Sequence, residues 1–408
     1  MKVLIISHMY PSSYDRILGI FVHEQAKALV QRGIDVQVIS PVPWAPFPLN
    51  CVSRKWESYH NVPYKANWEG IDVWYPRYLE FPRALFSASS GWRVYRGIKK
   101  IVESIYAGFR FDLIHAHVAL PDGVAALELK NEYKKPVVVT IHGQDLQQTI
   151  YRNTACRQSV SYVLNSASEI ICVSRKLQQK AIKYISGNNK IAVVSNGIDH
   201  KDILPRQVKF VKQQDCGIML LSVSNLVQTK GIDLNLYAFQ RLCKSYSALR
   251  YVVVGAGPEE GGLRKLARKL GIDRQVEFLG RQPHNSVMAY MNACDVFVLP
   301  SWNEGFGIVY LEAMACGKPV IGCQGEGIED FVEHGKTGML VKPRDVDSLL
   351  SALDFLLSHP DEARAMGERA RRVVLENYTW EKNAEKMIKV YEELCNDALF
   401  LLYHDEKY

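Results

Sequence analysis

Two glutamates eight residues apart carry the clearest chemical signal in this 408-residue sequence. In the segment SWNEGFGIVYLEAMACGKPVI (301–321), Glu304 precedes a Gly-Phe-Gly turn and Glu312 lies in the helix that the turn is predicted to open. Gly305 and Gly307 let the backbone approach a ligand closely, and the unpaired N–H groups at a helix start attract phosphate. Glu312 would accept hydrogen bonds from two adjacent hydroxyls, as on a ribose, and Glu304 would contact hydroxyls of whatever the phosphate carries. The pattern predicts a nucleotide-sugar site; the alternative is a Glu304 that caps the helix and a solvated Glu312.

The elements that must position these residues are alternating strands and helices. We predict strands near 2–7, 35–40, 72–75, 112–116, 136–141, 168–173 and 190–194, and again near 217–223, 250–255, 275–280, 294–300, 318–323 and 338–341. Amphipathic stretches between most of them indicate an α/β protein with parallel sheets covered on both faces. Because ligands of such sheets bind beyond the carboxyl ends of the strands, two facing domains would form a cleft.

The length of the chain favours two domains. The polar segment 208–216 is the best linker candidate, so we place the domains at 1–208 and 209–378. The last amphipathic helix, within 379–408, either crosses back to complete the first domain or packs on the second.

Composition excludes several classes of protein. Apolar residues make up 48% and charged residues 23%, as in a globular chain, and no apolar run approaches the roughly 18 residues that span a bilayer. The nine cysteines show no CxxC spacing, which argues against a metal cluster and for reduced thiols in the cytoplasm.

The charge is uneven along the chain. Residues 1–208 contain 26 lysines and arginines against 16 acidic residues, a net +10, whereas the remainder has 24 against 27, a net −3. The basic half indicates an anionic partner, such as a membrane surface, an acidic polymer or a phosphate-bearing acceptor, or else a basic surface without a partner.

Several sequence blocks together resemble glycosyltransferase family 4, whose members are retaining enzymes with the GT-B fold of two facing Rossmann-like domains. The blocks are the Glu-x7-Glu segment, SNGID (195–199), TKGID (229–233), VVVGAGP (252–258), VEFLG (276–280) and GEGIEDFVEHGKTGMLV (325–341). The resemblance covers essentially the whole chain. It implies an acceptor domain at 1–208, a donor domain at 209–378, and a last helix that crosses back to the first domain.

The resemblance also implies roles for residues of the second domain. Glu304 would contact the donor sugar, Glu312 the ribose, and Lys230 the diphosphate, without a metal or other cofactor. The residues that would offer backbone around the sugar and phosphate are Gly305, Phe306, Gly307 and Ile308. The Gly255-Ala256-Gly257 turn would border the nucleotide.

Asn225 departs from the family pattern, which commonly has an arginine at this position as a second phosphate cation. Asparagine can donate a hydrogen bond but supplies no charge. Either another cation substitutes, such as one near Arg281, or Lys230 and the helix stabilise the leaving group alone.

The first domain would contribute histidines and a glycine. His115 and His117 alternate onto one face of a strand, and the resemblance places His117 at the cleft as a positioning residue; the alternative is a satisfied core histidine. His142 follows the next strand, where it would face the sugar or acceptor or serve only in a turn. Gly19 opens the first helix, and the family uses a glycine there to admit the diphosphate or the acceptor.

Two further motifs have competing interpretations. Residues 83–110 mix Arg83, Arg93, Arg96, Lys99 and Lys100 with Phe86, Trp92 and Tyr95, a composition suited either to an anionic membrane surface or to an ordinary helix. Asp345-Val346-Asp347 matches an Asp-x-Asp metal motif, but its position before SLLSALDFLL predicts that Asp345 caps a helix.

The sequence therefore predicts a retaining, metal-independent transferase that moves a hexose-type residue from a nucleotide diphosphate sugar to a hydroxyl acceptor. The acceptor would be a lipid-linked or growing surface glycan, and the enzyme would be cytoplasmic or peripheral at the inner face of the membrane, with no nucleic-acid partner. The alternatives are a sugar-nucleotide epimerase on the same fold and a non-catalytic nucleotide-sugar-binding relative.

Overall fold

A computed structural model describes residues 1–48, 54–81, 85–187, 190–199, 203 and 217–405. It divides the chain into two compact units, one formed by Met1–Asn196 with the segment that begins at Trp380, the other by Gly197–Thr379. The linker predicted at 208–216, and with it the predicted domain boundary, lies outside the described residues.

The first unit contains an eight-stranded sheet of order β10-β9-β8-β7-β1-β2-β5-β4. Its strands are β1 (Lys2–Ile6), β2 (Asp35–Ile39), β4 (Lys65–Trp68), β5 (Ile71–Trp74), β7 (Leu113–His117), β8 (Val137–Ile141), β9 (Glu169–Cys172) and β10 (Ile191–Val193). All neighbouring strands are parallel except β4, which pairs antiparallel with β5 at the edge. The helices are α1 (Ile20–Gln31), α2 (Arg54–His60), α3 (Ser90–Phe109), α4 (Val124–Tyr133), α5 (Ile150–Arg152), α6 (Thr154–Ser166), α7 (Arg175–Ile182) and α14 (Trp380–Asp405).

A small parallel sheet lies beyond the carboxyl edge of this sheet. It pairs β3 (Val42–Trp44), which follows β2, with β6 (Arg77–Leu79), which follows β5. The sequence did not predict these strands or β4, because their sequences, VPW, RYL and KANW, contain no continuous apolar run.

The second unit contains a six-stranded, fully parallel sheet of order β13-β12-β11-β14-β15-β16. The strands are β11 (Ile218–Val223), β12 (Leu249–Val254), β13 (Val276–Gly280), β14 (Val296–Val298), β15 (Val320–Cys323) and β16 (Met339–Val341). The helices are α8 (Ile232–Leu242), α9 (Glu260–Lys269), α10 (His284–Ala293), α11 (Ile308–Ala315), α12 (Val346–Ser358) and α13 (Pro360–Asn377). Every strand predicted from the sequence is present in one of the two sheets.

The C-terminal helix α14 belongs to the core of the first unit, as the family resemblance implied. Met387 and Tyr391 are fully buried in one hydrophobic cluster with Val3 and Val22 of β1 and α1. The hydroxyl group of Tyr391 also forms a 2.7 Å hydrogen bond with Nδ1 of His115 on β7. The helix thus covers the sheet of a unit whose other residues end at Asn196, before the whole second unit in the sequence.

Two other properties concern the described residues as a whole. None of the described helices combines the length and the apolar character that a bilayer crossing requires. The cysteines in the described part of the chain are free thiols, at positions 156, 172, 243, 294, 316, 323 and 395, while Cys51 and Cys216 lie outside it.

We predict that Met387→Ala loosens the first unit selectively. Truncating a fully buried methionine costs about 2–5 kcal/mol, since it removes apolar contact and leaves a cavity. Hydrogen exchange measured by mass spectrometry should accelerate in peptides from β1 but not in peptides from β11. The exposed Glu392 on the same helix provides the control, because Glu392→Ala should change stability by less than about 0.5 kcal/mol. Unchanged exchange in β1 would contradict the assignment of α14 to this core.

Candidate functional site

The turn between β14 and α11 is held in place by a buried tyrosine and a glycine. The Tyr310 hydroxyl donates to the carbonyl oxygen of Leu299, which anchors the first turn of α11 at the end of β14. Gly307 has φ 93°, and a Cβ atom there would lie 2.6 Å from the Tyr310 ring. Only glycine therefore suits this position, and the start of the helix is left facing the segment that carries Glu304.

Glu304 is fixed by three polar contacts within the second unit. Its Oε2 atom accepts hydrogen bonds from Nζ of Lys230 at 2.6 Å and from the hydroxyl of Ser301 at 3.1 Å. Its backbone N–H donates to Oε2 of Glu326 at 2.5 Å. Within the described part of the chain, Oε1 of Glu304 receives no hydrogen bond. The carboxylate is thus oriented, with one oxygen available to a hydroxyl donor.

Lys230 reaches Glu304 because their loops follow adjacent strands. Lys230 lies in a short helical turn after β11, and Glu304 lies after the neighbouring β14. The two loops are joined where the N–H of Trp302 donates to the carbonyl oxygen of Thr229 at 2.9 Å. Strand order reverses at β11 and β14, which is the switch point where open α/β sheets bind ligands.

The other residues of the Glu-x7-Glu segment divide between the surface and the core. Glu312 is partly exposed on α11, with Oε1 4.0 Å from Nδ1 of His284. Phe306 is buried against Phe331, with ring centroids 5.2 Å apart. Its side chain therefore packs the Gly-Phe-Gly turn against the rest of the second unit. Ile308 is the first residue of α11, where helical N–H groups lack intrahelical partners.

The two glycines of the 255–257 turn are required by close packing within the protein. A Cβ atom at Gly255 would lie 1.8 Å from the carbonyl oxygen of Ser224, and one at Gly257 would lie 2.3 Å from that of Leu226. Asn225 lies between Ser224 and Leu226 in the sequence and is exposed. It therefore belongs to a loop that packs closely against the 255–257 turn. This packing explains the glycines without a ligand.

In the first unit, three histidines converge at the ends of β7 and β8. His115 is satisfied by Thr140 and Tyr391, as a core histidine would be. His117 and His142 share a 3.0 Å hydrogen bond between Nδ1 and Nε2, but the other ring nitrogen of each is buried and has no partner among the described residues. Burial lowers the pKa of His117 well below its ordinary value and that of His142 to about 3, so both rings are neutral near pH 7.

Gly19 is required by a close approach within the first unit. It precedes α1 with φ 67°, and a Cβ atom there would lie 2.1 Å from the carbonyl oxygen of Met9, after β1. The structure thus brings the start of α1 against the carboxyl end of the central strand.

Two family profiles match the chain in succession. The profile described as Glycosyltransferase Family 4 matches residues 18–202, and that described as Glycosyl transferases group 1 matches residues 206–373. The chain is also 29% identical over 294 residues to N-acetyl-alpha-D-glucosaminyl L-malate synthase of Bacillus anthracis, a match that covers 71% of this chain and 75% of the relative. It is 30% identical over 365 residues to TuaC of Bacillus subtilis (strain 168), named for teichuronic acid biosynthesis, which covers 86% of this chain and 88% of TuaC.

The chain belongs to glycosyltransferase family 4. The fold of this glycosyltransferase is GT-B, since sucrose-phosphate synthase from Thermosynechococcus elongatus superposes with a TM-score of 0.78 at 22% identity over 97% of this chain and 99% of that one. HepE of Anabaena, solved in complex with UDP, superposes with a TM-score of 0.73 at 20% identity over 96% and 100%.

Two groups that orient Glu304 in this glycosyltransferase were not predicted from the sequence. Ser301 is only three residues away and could have been noticed as a hydroxyl next to a carboxylate. Glu326 lies in the GEGIED block and reaches Glu304 from another loop, and no local pattern predicts that contact. Buried Glu326 thereby positions the carboxylate that faces the switch point.

The Asp-x-Asp motif of the glycosyltransferase caps a helix, as the sequence predicted. The N–H of Ser348 donates to Oδ1 of Asp345 at 2.9 Å at the start of α12, and Asp347 pairs with Arg241. Among the described residues, no group of three or more histidine, cysteine, aspartate or glutamate side chains has the arrangement of a metal site.

We predict that Gly257→Ala destabilises the protein in the absence of any nucleotide. The added methyl group would overlap the carbonyl oxygen of Leu226, and overpacking of this kind costs about 1–3 kcal/mol. Gly262→Ala in α9 is the matched control, since its Cβ meets nothing within 4 Å and alanine favours a helix by up to about 1 kcal/mol. Urea unfolding of the two variants measures the difference. A Gly257→Ala variant of normal stability that no longer binds nucleotide would show instead that the glycine serves a ligand.

Proposed function

We propose that this glycosyltransferase is a retaining enzyme that transfers a hexose-type sugar from a nucleotide diphosphate sugar to a hydroxyl of a lipid-linked or growing surface glycan. The observation that carries the proposal is the Lys230–Glu304 ion pair at the start of α11, because it brings together a cation that would bind the diphosphate and a carboxylate that would bind the sugar. Lys230 and Glu304 remain partly exposed, at 23% and 16%, so a ligand can reach both.

The electrostatics of this site suit a departing diphosphate. Lys230 supplies a positive charge, and the N-terminus of α11 adds a favourable dipole, so negative charge that develops on the leaving nucleotide is stabilised without a metal ion. Glu304 would accept a hydrogen bond from a donor sugar hydroxyl through Oε1, and Glu312 would hold the ribose. With Asn225 in place of the usual family arginine, Lys230 carries the greater share of this stabilisation.

The names of similar proteins suggest which substrates to test first. HepE has been solved with UDP and with UDP-glucose, so UDP-sugars are the first donors to examine. TuaC is named for teichuronic acid biosynthesis, so surface-polymer acceptors come first among the glycans. An epimerase would alter the donor sugar without an acceptor, which distinguishes it from the proposed transferase.

We predict that Glu304→Gln lowers kcat at least about 100-fold, because it removes the charge that faces the donor sugar while keeping the shape of the side chain. Release of UDP from a panel of UDP-sugars, with and without added glycan, measures the loss. The control is Glu362→Gln at an exposed position of α13, which should retain normal turnover. A folded Glu304→Gln protein with near-normal kcat would contradict the site.

The product of the same reaction reports the stereochemistry. Proton NMR of the first product formed from an α-linked donor should show an α-glycosidic linkage. A β-linked first product would contradict the retaining assignment.

We further propose that the first unit docks on an anionic membrane surface. Large apolar side chains lie exposed on and beside the small β3–β6 sheet: Phe47 is 81% exposed, Phe86 70% and Trp44 42%. On α3, the Arg96 guanidinium stacks 3.7 Å from the ring centre of the exposed Trp92. Apolar side chains beside cations, in a half with a net +10, suit anionic lipid headgroups.

Some basic residues of the 83–110 segment do not contribute to the proposed membrane-docking surface. Arg93 is buried, where it donates to Leu79 and Phe86 carbonyl oxygens and pairs with Glu80. Lys99 pairs with Glu132. Arg83 lies outside the described residues.

We predict that the double variant Phe47→Ser/Phe86→Ser binds anionic vesicles at least about fivefold more weakly, because each exposed ring would lose its insertion into the interface. Co-sedimentation with vesicles of phosphatidylglycerol and phosphatidylcholine measures this. Tyr237→Ser, at a 42% exposed aromatic position in the second unit, should bind like the unaltered protein. Equal binding by both variants would contradict this docking surface.

A further inference from the structure

A histidine–aspartate pair in the first unit has no role in the donor site described above. Nδ1 of His8 lies 2.8 Å from Oδ2 of Asp122, and the backbone N–H of His8 donates to the same oxygen at 3.1 Å. Asp122 is completely buried, whereas the His8 side chain is 30% exposed. A buried carboxylate therefore fixes a histidine that solvent, and hence a ligand, can reach.

The pair bridges the switch point of the first sheet. β1 lies between β7 and β2 in the sheet. Strands β2, β5 and β4 extend the sheet on one side of β1, and strands β7 to β10 extend it on the other. His8 follows β1, and Asp122 lies in the turn after β7. Open α/β sheets bind ligands where the strand order reverses, so the pair occupies the expected ligand position of this unit. The Lys230–Glu304 pair bridges the corresponding strands of the second sheet.

The surroundings of His8 contain unused hydrogen-bonding capacity. Within the part of the chain that the structure describes, no hydrogen bond reaches Nε2 of His8. The Oδ1 atom of Asp122 and the Oδ2 atom of the neighbouring buried Asp145 also lack partners there. Because Asp122 and Asp145 are buried, Nε2 of the partly exposed His8 is the atom of this cluster that a polar ligand can reach.

The charges around His8 favour its protonated form. Burial acts to lower the pKa of His8, but the carboxylates of Asp122, Asp145 and Glu80 outweigh burial and raise that pKa above its ordinary value. With Nδ1 held by Asp122, the protonated ring presents Nε2–H as a charge-assisted donor.

We propose that His8 is a substrate-binding residue whose Nε2 forms a hydrogen bond with a sugar hydroxyl of the glycan acceptor, and that Asp122 is the residue that positions it. The inference rests on the proposed transferase function, because it assigns the acceptor side of that reaction. It assigns to the first unit a specific contact with the acceptor, whereas the second unit would bind the donor.

The test compares His8→Ala and Asp122→Asn with the exposed His60→Ala as control. Octyl β-D-glucopyranoside and octyl N-acetyl-β-D-glucosaminide serve as acceptor probes, with whichever UDP-sugar the unaltered protein hydrolyses. His8→Ala should raise the acceptor KM about tenfold, the loss expected for one charge-assisted hydrogen bond, and change the donor KM much less.

The pH dependence separates binding from a merely structural role. In the unaltered protein the acceptor KM should rise as pH increases through the pKa of His8, because deprotonation removes the charged donor. Asp122→Asn removes the carboxylate that raises this pKa, so the same rise should begin at lower pH. Urea unfolding of each variant confirms that it is folded.

The outcomes are distinct. If His8→Ala matches the unaltered protein and His60→Ala in acceptor KM and pH profile, the role of His8 is overturned. A protein that hydrolyses a donor but glycosylates neither octyl glycoside overturns the sugar hydroxyl as the His8 ligand. If the unaltered protein turns over no nucleotide sugar at all, the proposed function fails instead.

Discussion

The ion pair between Lys230 and Glu304 is the interaction on which the proposed donor site depends. The two residues are 74 positions apart in the sequence, yet their side chains meet at 2.6 Å because β11 and β14 are neighbours in a parallel sheet. In the proposed function, each of these two charges would bind one part of the donor. A diphosphate would bind the lysine, and a sugar hydroxyl would bind the carboxylate. The ion pair would therefore keep both side chains in place until a donor binds and separates them.

Much of the surrounding structure serves to hold that pair in place. Gly307 and Tyr310 set the turn before α11, and Glu326 fixes the backbone of Glu304 from a third loop. Fixing both partners before the ligand arrives reduces the reorganisation that leaving-group stabilisation requires. The first unit uses the same topology differently, since the loop after its central strand carries a histidine held by an aspartate rather than a lysine held by a glutamate.

The sequence predicted those features that depend on local pattern. Strand periodicity located all the long strands, and the Glu-x7-Glu segment located a turn that the structure places beside Lys230. It could not show that Gly255 and Gly257 are needed for packing, since that depends on carbonyl groups thirty residues earlier in the chain. One of the two interpretations of residues 83–110 counted Arg93 among membrane-facing cations, whereas the structure buries it beside Glu80. The contacts made by Glu326 and by His8 were missed for the same reason: each joins loops that only the sheet order brings together.

The most direct test of this account is a crystal structure of the protein with whichever of UDP, GDP or ADP raises its melting temperature. We expect a diphosphate oxygen within hydrogen-bonding distance of Nζ of Lys230, the phosphates against the first N–H groups of α11, and the ribose hydroxyls on Glu312. A nucleotide bound away from the β11–β14 switch point, with the Lys230–Glu304 pair undisturbed, would contradict it.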